Sequence, residues 1–230
     1  MAERCLLYYI TGRSEFRGDE SARRRALLAK IAEAARAGVD YIQLREKDLS
    51  TRELETLARE AVTFVRENQP DPGHGLPATR LLINSRTDVA LAVGADGVHL
   101  RADDVAPHDV RQMLEVFAHR PPATDHFLVA ASCHTVADVI RAESEKADFA
   151  VFAPVFEKKD ATLFLKKETQ ATGLAALREA CRAKIPVLAL GGITLENAAS
   201  CLNAGAAGVA AIRLFQENKI EDVVRALRAL

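Results

Sequence analysis

The segment Tyr41–Lys47 carries side chains whose types and spacing suit the binding of an anion. An apolar run ends in Gln43, Arg45 and Lys47, which are two residues apart. In a β-strand, residues two apart lie on one face, so one amide and two cations point the same way. Two aligned cations repel each other, and a phosphate or pyrophosphate between them removes that cost. On this segment alone, a solvated strand end with three polar residues is an equally good interpretation.

The bulk composition narrows the class of protein. The chain has 230 residues, of which 49% are hydrophobic and 27% charged, and its net charge is −1. That size suits one large domain or two small ones, and the charge balance predicts no nucleic-acid partner. No apolar stretch approaches the roughly 18 residues of a membrane span, and the N-terminus lacks the features of a signal peptide. Four scattered cysteines without a CxxC pair predict reduced thiols in a cytoplasmic protein without a zinc site.

Strand-like and helical patterns alternate along the chain. The predicted strands are Leu6–Thr11, Tyr41–Glu46, Leu81–Asn84, Gly97–Leu100, Leu128–Cys133, Phe149–Val155, Pro186–Leu190 and Gly208–Arg213. The predicted helices are Ser21–Ala37, one that begins with a capping box at Ser50 and Glu53, Thr87–Val93, Pro107–Ala118, Val136–Lys146, Gly173–Ala183, Leu195–Asn203 and Ile220–Leu230. Eight strand–helix units predict an α/β fold, a single (β/α)₈ TIM barrel over residues 1–230. An open doubly wound sheet is the alternative, but polar and Gly-rich residues after nearly every strand favour the barrel.

Two segments are predicted to be loops. Residues 67–80 contain three prolines and two glycines and form an exposed connection. Residues 157–172 contain four lysines and show no helical or strand period. Because this second segment follows the sixth strand on the side where barrel enzymes build their sites, it is a candidate lid.

Polar residues follow most of the predicted strands, at the end where a barrel carries its active site. After the second, third, fourth, fifth, seventh and eighth strands they are Gln43, Arg45 and Lys47; Asn84, Ser85 and Arg86; Arg101, Asp103 and Asp104; Ser132, Cys133 and His134; Gly191 and Gly192; and Ile212 and Arg213. Paired glycines before a helix let backbone N–H groups approach a phosphate. Together with the cations of the second strand they predict two anionic groups in one mouth. Plainer interpretations are a tight turn for Gly191–Gly192, an N-cap for Asp103–Asp104 and a structural role for His134.

These residues resemble those of thiamine phosphate synthase and its close relative thiazole tautomerase. The resemblance extends over nearly the whole chain, with markers at Gln43–Lys47, Leu82–Arg86, Gly94–Leu100, Ser132–Thr135, Ala153–Phe156, Leu190–Ile193 and Ala204–Gly208. The markers do not separate synthase from tautomerase. The synthase joins hydroxymethylpyrimidine pyrophosphate to thiazole phosphate and releases pyrophosphate.

The resemblance implies a role for each of these positions. Gln43, Arg45, Lys47 and Asn84 would hold the pyrimidine pyrophosphate, and Ser132 would contact the substrate. Gly191, Gly192, Ile212 and Arg213 would hold the thiazole phosphate, and Asp104 would bind Mg²⁺. The catalytic residues implied are Lys47, Ser132, His134 and Lys158. The partners implied are small phosphorylated substrates, with no nucleic acid and no membrane, and a homodimer is left open.

The chain departs from the synthase pattern at the metal and phosphate contacts. Ser85 stands where the synthase has a second metal-binding Asp, and Asp103 is a candidate replacement ligand. After the sixth strand the synthase has a Pro-Thr-x-Thr-Lys segment, whose lysine Lys158 or Lys159 would replace, and Arg213 stands where a small residue is usual. A divergent synthase is the preferred hypothesis. A metal-independent tautomerase that uses His134 as acid and base, and a non-catalytic phosphate-ligand binder, are the alternatives.

Overall fold

The computed structural model describes residues 4–70, 73, 77–116, 126–157 and 171–230. Its centre is a closed barrel of eight parallel strands, in which each strand pairs with the next and the eighth pairs with the first. The strands are β1 Leu6–Ile10, β2 Tyr41–Leu44, β3 Arg80–Asn84, β4 Gly97–Leu100, β5 Leu128–Cys133, β6 Phe149–Phe152, β7 Val187–Leu190 and β8 Gly208–Ala211. The predicted (β/α)₈ TIM barrel is thus confirmed.

Helices follow the strands and cover the outside of the barrel. They are α1 Glu20–Arg36, α2 Thr51–Glu67, α3 Thr87–Val93, α4 Pro107–Val116, α5 Val136–Ser144, α6 Gly173–Ala180, α7 Leu195–Asn203, α8 Arg213–Gln216 and α9 Ile220–Arg228. The predicted capping box is present at α2, where the Ser50 side chain accepts from the Glu53 N–H and the Glu53 carboxylate accepts from the Ser50 N–H. Within the described ranges, none of the helices has the length and hydropathy needed to cross a bilayer.

Strand alternation divides the buried side chains into two layers. Tyr8 and Ile10 of β1, with Leu82 of β3, belong to a cluster inside the barrel. Leu7 and Tyr9 of the same first strand belong to a larger cluster between the barrel and the helices. Because successive residues of a strand face opposite sides, every strand of a barrel fills both layers.

An aspartate that precedes each of three strands ties that strand to its neighbour. Asp40 before β2 accepts the backbone N–H of Leu7 at 2.7 Å. Asp96 before β4 accepts that of Leu81 at 2.7 Å, and Asp148 before β6 accepts that of Val129 at 2.6 Å. Each carboxylate thus satisfies a backbone donor near the start of the preceding strand, where no ladder partner is available.

Several predicted strands end earlier in the structure. β2 ends at Leu44 because the N–H of Arg45 turns to the Thr11 side-chain oxygen at 3.0 Å. β8 ends at Ala211, so the prediction that Arg213 ends the last strand is wrong. The chain turns directly into α8, where the N–H groups of Phe215 and Gln216 bond to the Ile212 carbonyl. The predicted lid over residues 157–172 falls mainly on residues 158–170, which lie outside the described residues, as do Lys158 and Lys159.

Candidate active site

Inward-facing polar residues line one half of the barrel mouth, at the carboxyl ends of β2 to β5. The amide nitrogen of Gln43 donates to the Tyr8 hydroxyl at 3.2 Å, and that hydroxyl lies 3.1 Å from Nδ1 of His99. Nε2 of His99 lies 2.7 Å from Oγ of Ser132. Gln43, Tyr8 and His99 are almost fully buried, whereas Ser132 is partly exposed. A chain of hydrogen bonds thus links two residues that were predicted to contact substrate.

Burial keeps the central members of this chain uncharged. Desolvation, with a smaller effect from the nearby Arg45 charge, lowers the pKa of His99 to about 3. Burial also raises the pKa of the Tyr8 hydroxyl, well above its usual range. Both shifts favour the neutral form of the two rings at neutral pH. The rings act as hydrogen-bonding groups, and His99 is unsuited to exchange protons with a substrate.

Arg45 is a half-buried cation at the mouth. Burial lowers the pKa of its guanidinium, with Arg101 adding repulsion that the nearby Glu46 charge opposes. In the part of the chain that the structure describes, the Arg45 side chain makes no hydrogen bond or ion pair. A partly desolvated guanidinium without a counter-ion is costly, and an anion with paired oxygens satisfies it best. Arg45 is therefore a candidate for binding an anion.

Glu46 lies between the two predicted anion-binding cations and points away from them. Its carboxylate accepts the Thr11 hydroxyl at 2.7 Å and the Arg13 Nη1–H at 2.9 Å, and both Arg13 and Glu46 are buried. Arg13 also pairs with Asp48 at 2.8 Å and with Glu20 at 2.7 Å. This cluster binds the turn after β1 to the segment after β2. It thereby fixes the backbone from which Arg45 and Lys47 project.

The acidic residues after β4 lie close to these cations. The Asp104 carboxylate accepts the backbone N–H of Arg101 at 2.7 Å, and Asp103 forms a bidentate pair with the Arg101 guanidinium. The Arg101 pair lowers the pKa of Asp103, and Lys47 contributes a smaller effect in the same direction. The exposed side chain of Lys47 therefore lies within electrostatic reach of this loop.

The residues present form an incomplete site for the predicted Mg²⁺. Asp103 is already paired with a guanidinium, and one oxygen of Asp104 caps its own loop. Ser85 offers a hydroxyl that accepts from the Asn84 amide at 3.1 Å, and a hydroxyl binds Mg²⁺ more weakly than a carboxylate does. Within the described residues, no three His, Cys, Asp or Glu side chains are grouped to bind a metal. These residues do not fit a Mg²⁺ site held by the protein alone.

The glycine pair after β7 adopts backbone conformations that favour glycine. Gly191 has a φ of 101° and Gly192 one of 62°. A Cβ on Gly191 would meet Pro154 at 2.7 Å, and one on Gly192 would meet the Glu157 carbonyl at 2.7 Å. Close packing against the segment after β6 therefore explains both glycines without a ligand. Helix α7 begins four residues after Gly191, with Thr194 as its N-cap.

The remaining predicted residues lie on the rim. The side chain of Ile212 packs against the inner cluster, and Arg213 is exposed at the start of α8. His134 is also exposed, and its Nδ1 lies 2.8 Å from the Ala153 carbonyl, which fixes the ring against the segment after β6. The structure therefore brings Gln43, Asn84 and Ser132 to one half of the mouth. Gly191, Gly192 and Ile212 lie on the other half.

The second half of the mouth is apolar. Ile10, the last residue of β1, belongs to the inner cluster. Leu190, the last residue of β7, and Ile212, which directly follows β8, pack against that cluster. At the opposite end of the barrel interior, the first residues of β2 and β6, Tyr41 and Phe149, stack their rings at 4.8 Å between centroids. A mouth with a polar half and an apolar half suits a ligand that has both an apolar part and a charged group.

Three structural residues of the site were missed in the sequence. Tyr8 completes the buried hydrogen-bond chain, and Arg13 with Glu46 anchors the anion-binding segment. The signal for Tyr8 was its spacing of two residues from the apolar Ile10, which places both side chains on the same face of β1. The signal for Glu46 was its place between Arg45 and Lys47, where alternation directs it to the opposite side.

Comparison with known proteins agrees with this geometry. The family described as thiamine monophosphate synthase matches residues 7–215. A thiamine-phosphate synthase from Methanoculleus marisnigri is 38% identical over 224 residues, which cover 96% of this chain and 93% of that protein. A putative thiamine-phosphate synthase 2 from Aquifex aeolicus is 36% identical over 212 residues, which cover 92% of this chain and 97% of that protein.

A solved structure gives the same result. The thiamine phosphate pyrophosphorylase from Pyrococcus furiosus superposes with a TM-score of 0.75 at 26% identity, over 99% of this chain and 95% of that chain. The match therefore covers the barrel as well as the sequence markers at its mouth. Family match, curated relatives and solved structure agree, and the chain belongs to the thiamine monophosphate synthase family.

Proposed function

We propose that this protein is a thiamine phosphate synthase, a transferase that joins hydroxymethylpyrimidine pyrophosphate to thiazole phosphate. Family membership supports the reaction class. The single observation that carries the proposal to the site is Arg45, a half-buried guanidinium at the mouth that makes no hydrogen bond or ion pair with the described residues. A pyrophosphate leaving group supplies the anion that this cation lacks.

The chemistry requires charge stabilisation and positioning, without a protein nucleophile. The bond between the pyrimidine methylene carbon and the pyrophosphate oxygen breaks, and its electron pair leaves with the pyrophosphate. The thiazole nitrogen then donates its lone pair to the methylene carbon and forms the new C–N bond. Arg45 and Lys47 stabilise the negative charge that develops on the pyrophosphate, because both project from the anchored segment after β2. The apolar half of the mouth excludes water that would otherwise capture the carbon.

The remaining contacts are proposed at the positions that the resemblance indicates. Asn84 and Ser132 contact the pyrimidine half, and Gly191, Gly192 and the start of α8 take the thiazole phosphate. Magnesium dependence remains a prediction, and the ion would take most of its ligands from phosphate oxygens and water. The four cysteines are free thiols, which supports a cytoplasmic location, and a homodimer stays open.

An assay of the purified protein with three substrate mixtures tests the proposal. With both substrates and Mg²⁺, we expect thiamine phosphate and pyrophosphate to appear together. With the pyrimidine substrate alone, no thiamine phosphate should form. With a thiazole carboxylate phosphate alone, no isomerisation is expected, and isomerisation that His134→Asn abolishes would establish the tautomerase instead.

A pair of arginine variants connects the activity to the mouth. Arg45→Met should raise the KM for the pyrimidine pyrophosphate at least tenfold, because a charge-assisted contact contributes about 1.5–3 kcal/mol. The matched control is Arg24→Met, which removes a half-buried arginine that pairs with Glu60 between α1 and α2. Equal kinetic effects of the two variants would contradict an anion site at Arg45.

A further inference from the structure

The hydrogen-bond chain beneath the mouth has a direction. The amide nitrogen of Gln43 can only donate, so the Tyr8 hydroxyl accepts from it at 3.2 Å. Tyr8 therefore directs its own proton to Nδ1 of His99 at 3.1 Å. A neutral imidazole whose Nδ1 accepts carries its proton on Nε2, which donates to Oγ of Ser132 at 2.7 Å.

The last member of the chain keeps a proton to donate. The Ser132 oxygen accepts from His99, and the described residues offer its hydroxyl proton no other acceptor. Within this hydrogen-bond chain, only Ser132 is partly exposed, whereas His99 is 3% exposed and Tyr8 is fully buried. The hydroxyl proton is therefore available to a ligand that reaches Ser132 at the mouth.

We propose that His99 is a positioning residue, which as the neutral Nε2-protonated tautomer makes Ser132 a hydrogen-bond donor to the ligand in the mouth. The matching ligand presents an acceptor there, such as a ring nitrogen. This inference deepens the proposed function and rests on it, because Ser132 is proposed to contact the pyrimidine half. The opposite sense requires the Gln43 amide to be turned round, His99 to be protonated on Nδ1, and Ser132 to accept from a ligand amino group.

The tautomer of His99 decides between the two senses. Long-range ¹H–¹⁵N correlation spectra of protein labelled at histidine give the protonation of each ring nitrogen, and the signals of His99 are those that His99→Gln removes. We expect a protonated Nε2 and an unprotonated Nδ1 between pH 6 and pH 9, with and without the pyrimidine pyrophosphate. A ring protonated on Nδ1, or on both nitrogens, would overturn the proposal.

Two tyrosine variants test whether Tyr8 sets the tautomer. Tyr8→Phe removes the donor to Nδ1, and we expect the His99 signals to move towards a mixture of tautomers. Tyr9→Phe is the matched control, because the Tyr9 hydroxyl donates to Gln216 at 3.1 Å on the other side of the strand. Signals that are unchanged in Tyr8→Phe would contradict a directed chain.

Kinetics separate positioning from a structural role. His99→Gln keeps an N–H that reaches Ser132, and we expect KM values within about threefold of the wild type. His99→Leu leaves Ser132 unoriented, and we expect the KM for the pyrimidine pyrophosphate to rise about tenfold, the equivalent of one hydrogen bond. The KM for thiazole phosphate should stay within about twofold, and an equal rise in both would show a structural role only. Should the wild type lack synthase turnover, the proposed function fails, while the tautomer spectrum still tests the directed chain.

Discussion

The buried ion pair between Arg13 and Glu46 gives the sharpest test of how the barrel mouth is held. In Arg13→Met the guanidinium is lost and an apolar stem of similar length remains. The Glu46 carboxylate then keeps the Thr11 hydroxyl and the backbone N–H of residue 13 but no charge partner. Removing one member of a buried pair costs about 3–5 kcal/mol, and we expect that loss of unfolding free energy at pH 7.5.

The converse variant should be milder. Glu46→Gln leaves Arg13 paired with Asp48 at 2.8 Å and with Glu20 at 2.7 Å, and both of these partners are exposed to water. The guanidinium therefore remains compensated, and the loss reduces to about 1–2 kcal/mol of hydrogen bonding. Arg13→Met should therefore lose more unfolding free energy than Glu46→Gln, because only Arg13→Met leaves a buried charge without a charged partner.

The loss of unfolding free energy in Arg13→Met should also depend on pH. Burial already raises the pKa of Glu46, in spite of the bonds from Thr11 and Arg13 that lower it. Without the guanidinium the folded-state pKa rises further, whereas the unfolded value stays near its usual 4.3. A carboxyl whose pKa is raised on folding is stabilising at low pH, and that stability is lost as pH rises through the folded pKa. In Arg13→Met the folded state should bind up to one extra proton, so as much as ~2.7 kcal/mol returns between pH 7.5 and pH 5.5.

Urea unfolding followed by circular dichroism at the two pH values measures these costs. The control Arg24→Met removes a partly exposed pair and should cost about 1 kcal/mol or less at both pH values. A cost of Arg13→Met that is the same at pH 5.5 and pH 7.5 would refute the assignment of a buried, uncompensated carboxylate. So would a Glu46→Gln variant that is as unstable as Arg13→Met.

Three further outcomes are expected. Ser85→Asp should lower the Mg²⁺ concentration needed for half-maximal pyrophosphate release about ten- to a hundredfold, and identical titration curves would place Ser85 away from any metal. Gly191→Ala should lower the unfolding free energy by about 3 kcal/mol, because its Cβ would meet Pro154 at 2.7 Å and its φ is 101°. The matched Gly173→Ala, with a positive φ but nothing within 4 Å, should cost only about 1 kcal/mol. Asp96→Ala should cost about 2 kcal/mol in urea unfolding by leaving the Leu81 N–H unsatisfied, and Asp96→Asn, which keeps an acceptor, should recover most of it.

The architecture was predictable because strand and helix periods are local signals. The structure has α3, β4, β5 and α7 with the predicted bounds. Strand ends were less predictable, because they depend on partners distant in sequence. β2 ends where the Arg45 N–H donates to the Thr11 hydroxyl oxygen. β8 ends just before Ile212, which is the N-cap of α8. A run of apolar residues does not indicate where either strand ends.

The sequence indicated the residues that are proposed to bind the ligand, but not the residues that support them. Alternation was sufficient to place Gln43 and Arg45 on one side of the segment after β2. The partners of Glu46 come from the segment after β1, and those of His99 come from β1 and β5, and only the closed barrel brings these elements together. The repeated aspartates before β2, β4 and β6 did carry a signal, the recurrence of an apolar residue followed by Asp before a strand.

The most direct test of the central claim is a ³¹P NMR time course of the purified protein with both substrates. We predict that thiamine phosphate and inorganic pyrophosphate appear in equal amounts as both substrates disappear, and that Arg45→Met slows both signals together at subsaturating pyrimidine pyrophosphate. Pyrophosphate release without thiamine phosphate would mean that the mouth hydrolyses its substrate. The absence of both products from folded wild-type protein with Mg²⁺ would contradict the account and favour a binding protein.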